Sequence, residues 1–210
     1  DGSDFSTFHV IDIESVTQVA EYRGQLTPKD FGNMLVGVAT EYNDALLIIE
    51  NASVGFGAIQ SAIDRDYKNI YYTYKQDGVV DATTQLTRGY DLKDKSQMTP
   101  GFTTSSKTRP LLISKLDIYL REKVCIVKSK RLLEELRVVI WNGSKAQAQR
   151  GYNDDLVMAF GIAMWVRDTA LKLRQQGIEL DKLAISRIGK SSGDIYTNNI
   201  LRTIVDVENA

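Results

Sequence analysis

The sequence is poor in the residues that most often announce a chemistry. A single cysteine, Cys125, rules out an internal disulfide and offers no zinc spacing. That cysteine usage predicts an intracellular chain. The one histidine, His9, sits inside a β-branched and aromatic run, where it reads as a packed or exposed residue before it reads as a base. No apolar run reaches the length of a membrane span, and the N-terminus carries no signal-peptide pattern. No GxxxxGK[ST] occurs, and "GFG" at 55–57 is too short for a nucleotide loop, which argues against an ATP site. The opening "DGSDFS" resembles part of a calcium loop, but the other EF-hand ligands are absent. It also lacks Met and enters a strand almost at once, so a fragment of something longer is expected.

What is there is ordinary in bulk and uneven in detail. The 210 residues suit one domain with a real core, and 43% hydrophobic with 25% charged residues is a globular composition. The net charge of -1 hides an asymmetry. Between Arg88 and Arg150 there are 14 Lys and Arg against 6 Asp and Glu, while the remainder carries 12 against 21. A basic segment on an acidic body can hold a phosphate backbone, or it can simply be a solvated surface.

Hydrophobic periodicity supplies the elements. Phe5–Ile13 and Val16–Gln25 read as an antiparallel strand pair. Thr27 and Pro28 predict an N-cap and first helical position, with Phe31, Leu35, Val38 and Tyr42 along one face. "ALLIIE" at 45–50 is a continuous apolar run, the pattern of a strand buried on both faces. "GFGAIQSAIDRDY" reads as a helix and "NIYYTY" as a strand. Residues 77–108 are polar and weakly periodic, a long loop or β-hairpin excursion. "PLLISKLDIYLRE" predicts a helix with Leu112, Leu116 and Leu120 on one face, and "KVCIV" a short strand. "SKRLLEELRVVIWN" is one amphipathic element from Ser129, and "GYNDDLVMAFGIAMWVRDTALKLRQQG" a long helix with Asp154 and Asp155 in its first turn. The order predicts an α/β layer with a mixed sheet over 1–176 and a polar tail over 177–210.

Two acidic positions stand out. Glu50 ends the apolar run, and strand ends are where open α/β sheets place their sites. It needs a lysine, water or a metal ion against it. One of Asp154 and Asp155 has a plain role as an N-cap; the other opens a very apolar helix and points inward. Crowded carboxylates raise one another's pKa unless a cation intervenes, and Mg²⁺ or Mn²⁺ takes oxygen ligands.

Four stretches, "DGSDFSTFHVID", "LLIIENASVG", "TSSKTRPLLISKL" and "GYNDDLVMAF", resemble in order the nuclease domain of the large terminase subunit of tailed, myovirus-type bacteriophages. The resemblance spans roughly residues 1 to 170. It implies an RNase H-like mixed sheet flanked by helices, and an endonuclease that cuts concatemeric viral double-stranded DNA around packaging. It further implies two Mg²⁺ or Mn²⁺ ions held by three acids. Glu50 matches the second acid and Asp155 the third, with Asp154 beside it. The first acid and its strand precede the "DGSD" turn in that family and are expected to be missing here. Asp4 matches an acid near the family's site, and Asp12, on the next strand, is expected outside it. Lys107 and Arg109 fall near the expected DNA groove, and Arg88, Lys93, Lys95 and Lys115 are further candidate DNA contacts. Implied partners are the portal, the small terminase subunit and an ATPase domain of the same full-length protein, in the host cytoplasm and away from membranes.

Three readings result. The chain is a metal-dependent terminase nuclease, a non-cleaving module that grips DNA or couples it to the motor, or an RNase H-like resolvase or transposase core. Under the first, the Glu50 and Asp155 carboxylates are expected within about 4 to 7 Å.

Overall fold

The structure is a computed structural model that describes residues 5–52, 54–74, 98–143 and 145–168. Asp4, Arg88, Lys93, Lys95, most of the polar excursion and the 177–210 tail lie outside the described residues.

Strands β1 (Ser6–Asp12) and β2 (Thr17–Gly24) form the expected antiparallel hairpin, with a register shift between Val10 and Ile11. In the connecting turn Val16 has φ 51°, a left-handed conformation that a β-branched residue seldom adopts. Its side chain is buried and its carbonyl accepts the Ile126 N–H at 2.9 Å, which holds it there. This contact is most of what "KVCIV" contributes: a single parallel bridge between Ile126 and Thr17, not the strand expected from its composition.

Helix α1 (Pro28–Glu41) starts as predicted, with Thr27 Oγ1 accepting the Asp30 N–H and Pro28 in the first turn. Its buried stripe is Phe31, Gly32, Leu35, Val36 and Ala39, while Tyr42 is 40% exposed. The stripe is rotated from the expected one because α1 packs on α2 (Val54–Asp64). Gly32 lies so close to α2 that a Cβ there would sit 2.5 Å from the Ala58 carbonyl. Strands β3 (Tyr72–Tyr74) and β4 (Met98–Pro100) pair antiparallel across the undescribed excursion.

The second half supplies α3 (Thr108–Arg121), α4 (Lys130–Val138), β5 (Val139–Asn142), β6 (Lys145–Ala148) and α5 (residues 155–168). "SKRLLEELRVVIWN" is therefore two elements. Ser129 caps α4 through the Leu132 N–H, and the β-branched and aromatic "VVIW" then leaves the helix to pair with β6 across Gly143, at φ 61°. Apolar periodicity ran through the junction and concealed it.

Two apolar clusters result. Phe31, Leu35, Val36, Leu47, Ile49, Ala58, Ile59, Ala62 and Ile70 form the one built on α1 and α2. Leu112, Leu116, Leu132, Leu156, Phe160 and Met164 anchor the other, built on α3, α4 and α5. The 45–50 run lies between them: Leu47 and Ile49 belong to the first cluster, Leu46 and Ile48 pack against the second. It is thus buried on both faces as expected. It does not join a continuous ladder, however. The described strands form three two-stranded antiparallel pairs, and the parallel component consists of bridges at Thr17–Ile126, Leu47–Ile70 and Glu50–Phe102.

Candidate active site

Glu50 stands at the end of the run. Ile49 accepts the Phe102 N–H at 2.7 Å, and Asn51 donates to the Phe102 carbonyl at 2.9 Å, so the backbone on either side of Glu50 is held. Gly101, at φ 89°, makes this approach possible: a Cβ there would lie 2.5 Å from the Ile49 carbonyl. Side chains alternate along an extended chain, so Glu50 shares the face of Leu46 and Ile48, toward α3 and α5. The residue is half-buried, and its carboxylate has no hydrogen-bond or ion-pair partner among the described residues, neither Lys107 nor Arg109.

Residues 102–109 link this point to the start of α5. Asn51 Nδ2 donates to Thr103 Oγ1 at 2.9 Å. Ser105 and Thr108 cap each other reciprocally: Thr108 Oγ1 accepts the Ser105 N–H at 2.7 Å, and Ser105 Oγ accepts the Thr108 N–H at 3.1 Å. Arg109, one residue on, ion-pairs with Asp154 and donates from Nε to the Ala146 carbonyl at 2.9 Å. Residues 102–109 thus run from the Asn51 contact beside Glu50 to the Arg109–Asp154 pair at the "NDDL" turn.

The two aspartates do different work there. Asp154 occupies the cap position, its carbonyl accepting the Met158 N–H at 2.9 Å. Its Oδ2 is engaged by Arg109 and by the Ala148 N–H at 3.0 Å. This couples the β5–β6 hairpin to α3. Asp155 faces β1 instead. Its Oδ2 accepts the Phe5 N–H at 3.2 Å and lies 3.4 Å from Asn153 Nδ2, while Thr7 Oγ1 donates to its carbonyl at 3.1 Å.

His9 continues the same face of β1. Gln18, 2% exposed, fixes its tautomer. The Gln18 Oε1 accepts the Lys128 and Ser129 N–H groups, both at 2.8 Å, so its Nε2 must donate to His9 Nδ1 at 2.8 Å. His9 Nε2 then carries the proton and donates to the Leu156 carbonyl at 3.0 Å. Burial lowers its pKa to about 4, against the upward pull of that carbonyl, so the ring is a neutral strut and a packed residue, as expected. From α4, Glu135 approaches the same turn: its Oε2 accepts the Leu156 N–H at 2.8 Å and the Val157 N–H at 3.3 Å. Burial raises its carboxyl pKa, opposed by those two donors.

No group of three His, Cys, Asp or Glu side chains arranged to hold a metal occurs among the described residues. Of the candidate DNA-binding cations, Lys107 is exposed, with no ion-pair partner among the described residues. Arg109 is committed to Asp154. Lys115 lies further along α3, paired with Asp168 and near the Trp165 and Tyr119 rings. Asp12 is exposed and bound to Ser15, outside the site as expected.

No protein-family model matches the chain. Among solved structures, it is similar to the large terminase nuclease of the thermophilic phage G20c, a crystal structure with bound magnesium. The two are 20% identical, with a TM-score of 0.54 over 77% of this chain and 74% of that one. The fold is that of a large terminase nuclease.

Within this terminase-nuclease fold, two supports of Asp155 went unread in the sequence. Glu135 had a signal: three residues after Leu132, it falls on the buried side of α4, where a charge is out of place. His9 had none, because its partner Leu156 is 147 residues away. No described helix of the fold is long and apolar enough to cross a membrane.

Proposed function

We propose that this chain is the metal-dependent endonuclease domain of a phage DNA-packaging terminase, RNase H-like in topology, cutting concatemeric viral double-stranded DNA. The observation that supports the reading is a terminase-nuclease fold in which the Glu50 carboxylate has no partner among the described residues while Asp155 is held by the Phe5 N–H. A carboxylate of a half-buried residue with no cation against it among the described residues suits a hard divalent ion, and both acids offer only oxygen. Glu50 and Asp155 would hold Mg²⁺ or Mn²⁺, with Asp154 as the neighbour that ties Arg109 into place. Such an ion activates water and stabilises the leaving oxygen of a phosphodiester. The protein's part is to fix the Asp155 carboxylate, to hold the backbone on either side of Glu50, and to offer Lys107 to the backbone of the DNA. Portal, small terminase subunit and an ATPase domain of the same polypeptide are the partners this reading entails, in the host cytoplasm.

The test is cleavage of supercoiled plasmid with Mn²⁺ by the chain, by Glu50→Ala and Asp155→Ala, and by a form extended upstream by one strand. Metal-dependent nicking lost in both variants supports the nuclease. A second reading, DNA gripping without cleavage, is favoured by one observation: no group of three His, Cys, Asp or Glu side chains that could hold a metal occurs among the described residues. Salt-sensitive DNA binding with no cleavage in any form would select it.

A further inference from the structure

Glu135 is the one acid among the described residues that is buried, at 5% exposure, and the reaction proposed above makes no use of it. It comes from α4 and ends at the first turn of α5, where the N–H groups of a helix lack intrahelical acceptors. A residue of the turn itself usually serves as the cap; here Glu135 Oε2 takes the Leu156 and Val157 N–H groups from outside. Its Oε1 makes no hydrogen bond and faces Arg23 Nη1 at 3.6 Å. The Arg23 guanidinium lies 4.1 Å over the Phe5 ring, and the Phe5 N–H donates to Asp155 Oδ2. Glu135 therefore acts on the turn that carries Asp155 mainly through its hydrogen bonds to Leu156 and Val157, the two residues after Asp155, while the Arg23 pair at 3.6 Å is the looser contact.

We propose that Glu135 is the positioning residue for Asp155, setting the direction of its carboxylate by clamping the first turn of α5. The inference rests on the reading of Asp155 as a metal ligand. Reach decides this, not charge. An acceptor on a three-atom arm meets both N–H groups, and one shortened by a methylene does not. Outer groups that orient a ligand typically change metal affinity 10- to 100-fold when removed.

The variants separate reach from charge. Glu135→Asp keeps the charge and loses the reach; Glu135→Gln keeps the reach and loses the charge. The readouts are Mn²⁺ affinity by electron paramagnetic resonance, hydrogen exchange of the Leu156 and Val157 amides, and plasmid cleavage, with Asp155→Asn as control. In E135D the Mn²⁺ Kd is expected to rise about tenfold with faster amide exchange, while E135Q stays within about twofold of the parent. Parental Mn²⁺ affinity or unmoved exchange in folded E135D overturns the proposal, as does an equal loss in E135Q. If E135D does not fold, Glu135→Asn makes the same shortening without a buried charge and is held to the same outcome. Parental Mn²⁺ affinity in D155N would remove the metal-site reading itself. An impaired D155N beside an unaffected E135D removes only the inference.

Discussion

The two acidic ends of the site are built in opposite ways. At the start of α5, Asp155 is held by the Phe5 N–H, its carbonyl by Thr7, and the next two residues by His9 and Glu135. At the end of the 45–50 run the backbone is held by Phe102, but the Glu50 carboxylate itself meets no partner among the described residues. One acid is placed by its surroundings; under the proposed reading the other is left for a cation. A fixed ligand sets the geometry of a site; a ligand without partners keeps its charge available, and this division suits capture of a cation.

The sharpest way to break the comparison is to remove each acid in turn. Glu50→Ala and Asp155→Ala are both expected to reduce Mn²⁺-dependent cleavage by roughly a hundredfold or more, if both hold metal. They should part company in stability. Asp155→Ala forfeits hydrogen bonds and is expected to lower unfolding free energy by about 1–2 kcal/mol. Glu50→Ala, whose side chain makes no bond among the described residues, is expected to leave Tm unchanged or slightly raised. Equal destabilisation in urea titrations would erase the distinction.

The Glu50 end can also be disturbed through its backbone. Gly101→Ala places a Cβ against the Ile49 carbonyl at a left-handed φ of 89°. A cost on the order of 2–4 kcal/mol is expected from the conformation and the overlap together. Because Phe102 is the next residue, Glu50 should shift and cleavage fall with stability. A fall in stability with full cleavage would mean that Glu50's backbone is not held by this contact.

The Asp155 end carries a pH dependence through His9. The folded pKa of His9, about 4, lies below its ordinary 6.5, so between those values the unfolded chain binds more protons. Its contribution is complete above pH 6.5 and is lost as pH falls through 4. The ring keeps some solvent contact, so the loss is expected to be about 2–3 kcal/mol, and His9→Gln should flatten that part of the stability curve. An unchanged curve in the variant would assign acid sensitivity to other groups.

The two ends also differed in how far the sequence disclosed them. Glu50 stood out because a charge closing a run of five apolar residues is a local signal, and the helix bearing Asp155 was legible from its composition. The roles within "NDDL" were not. Asp154 is distinguished from Asp155 by Arg109, 45 residues away, and Asp155 is seated by Phe5, 150 residues away. The β5–β6 hairpin was hidden for a different reason, since Leu136, Val139 and Ile140 prolong a helical spacing across the point where β-propensity takes over. Periodicity reports what is buried, and in this chain the site is made by which buried pieces meet.

The smallest expected effect concerns the segment that joins the two ends. Lys107 is the exposed cation of the 103–109 stretch, whereas Arg109 is spent on Asp154. Lys107→Ala should therefore weaken DNA binding only a few-fold and reduce the slope of log K against log salt by about 0.9, the value for one phosphate contact. Arg109→Ala should instead act through Asp154, lowering stability and cleavage with little change in the salt slope. Measuring both slopes by fluorescence anisotropy decides the matter. If Arg109→Ala carries the larger slope change, the guanidinium leaves Asp154 when DNA binds, and the coupling between the β5–β6 hairpin and α3 is released at that step.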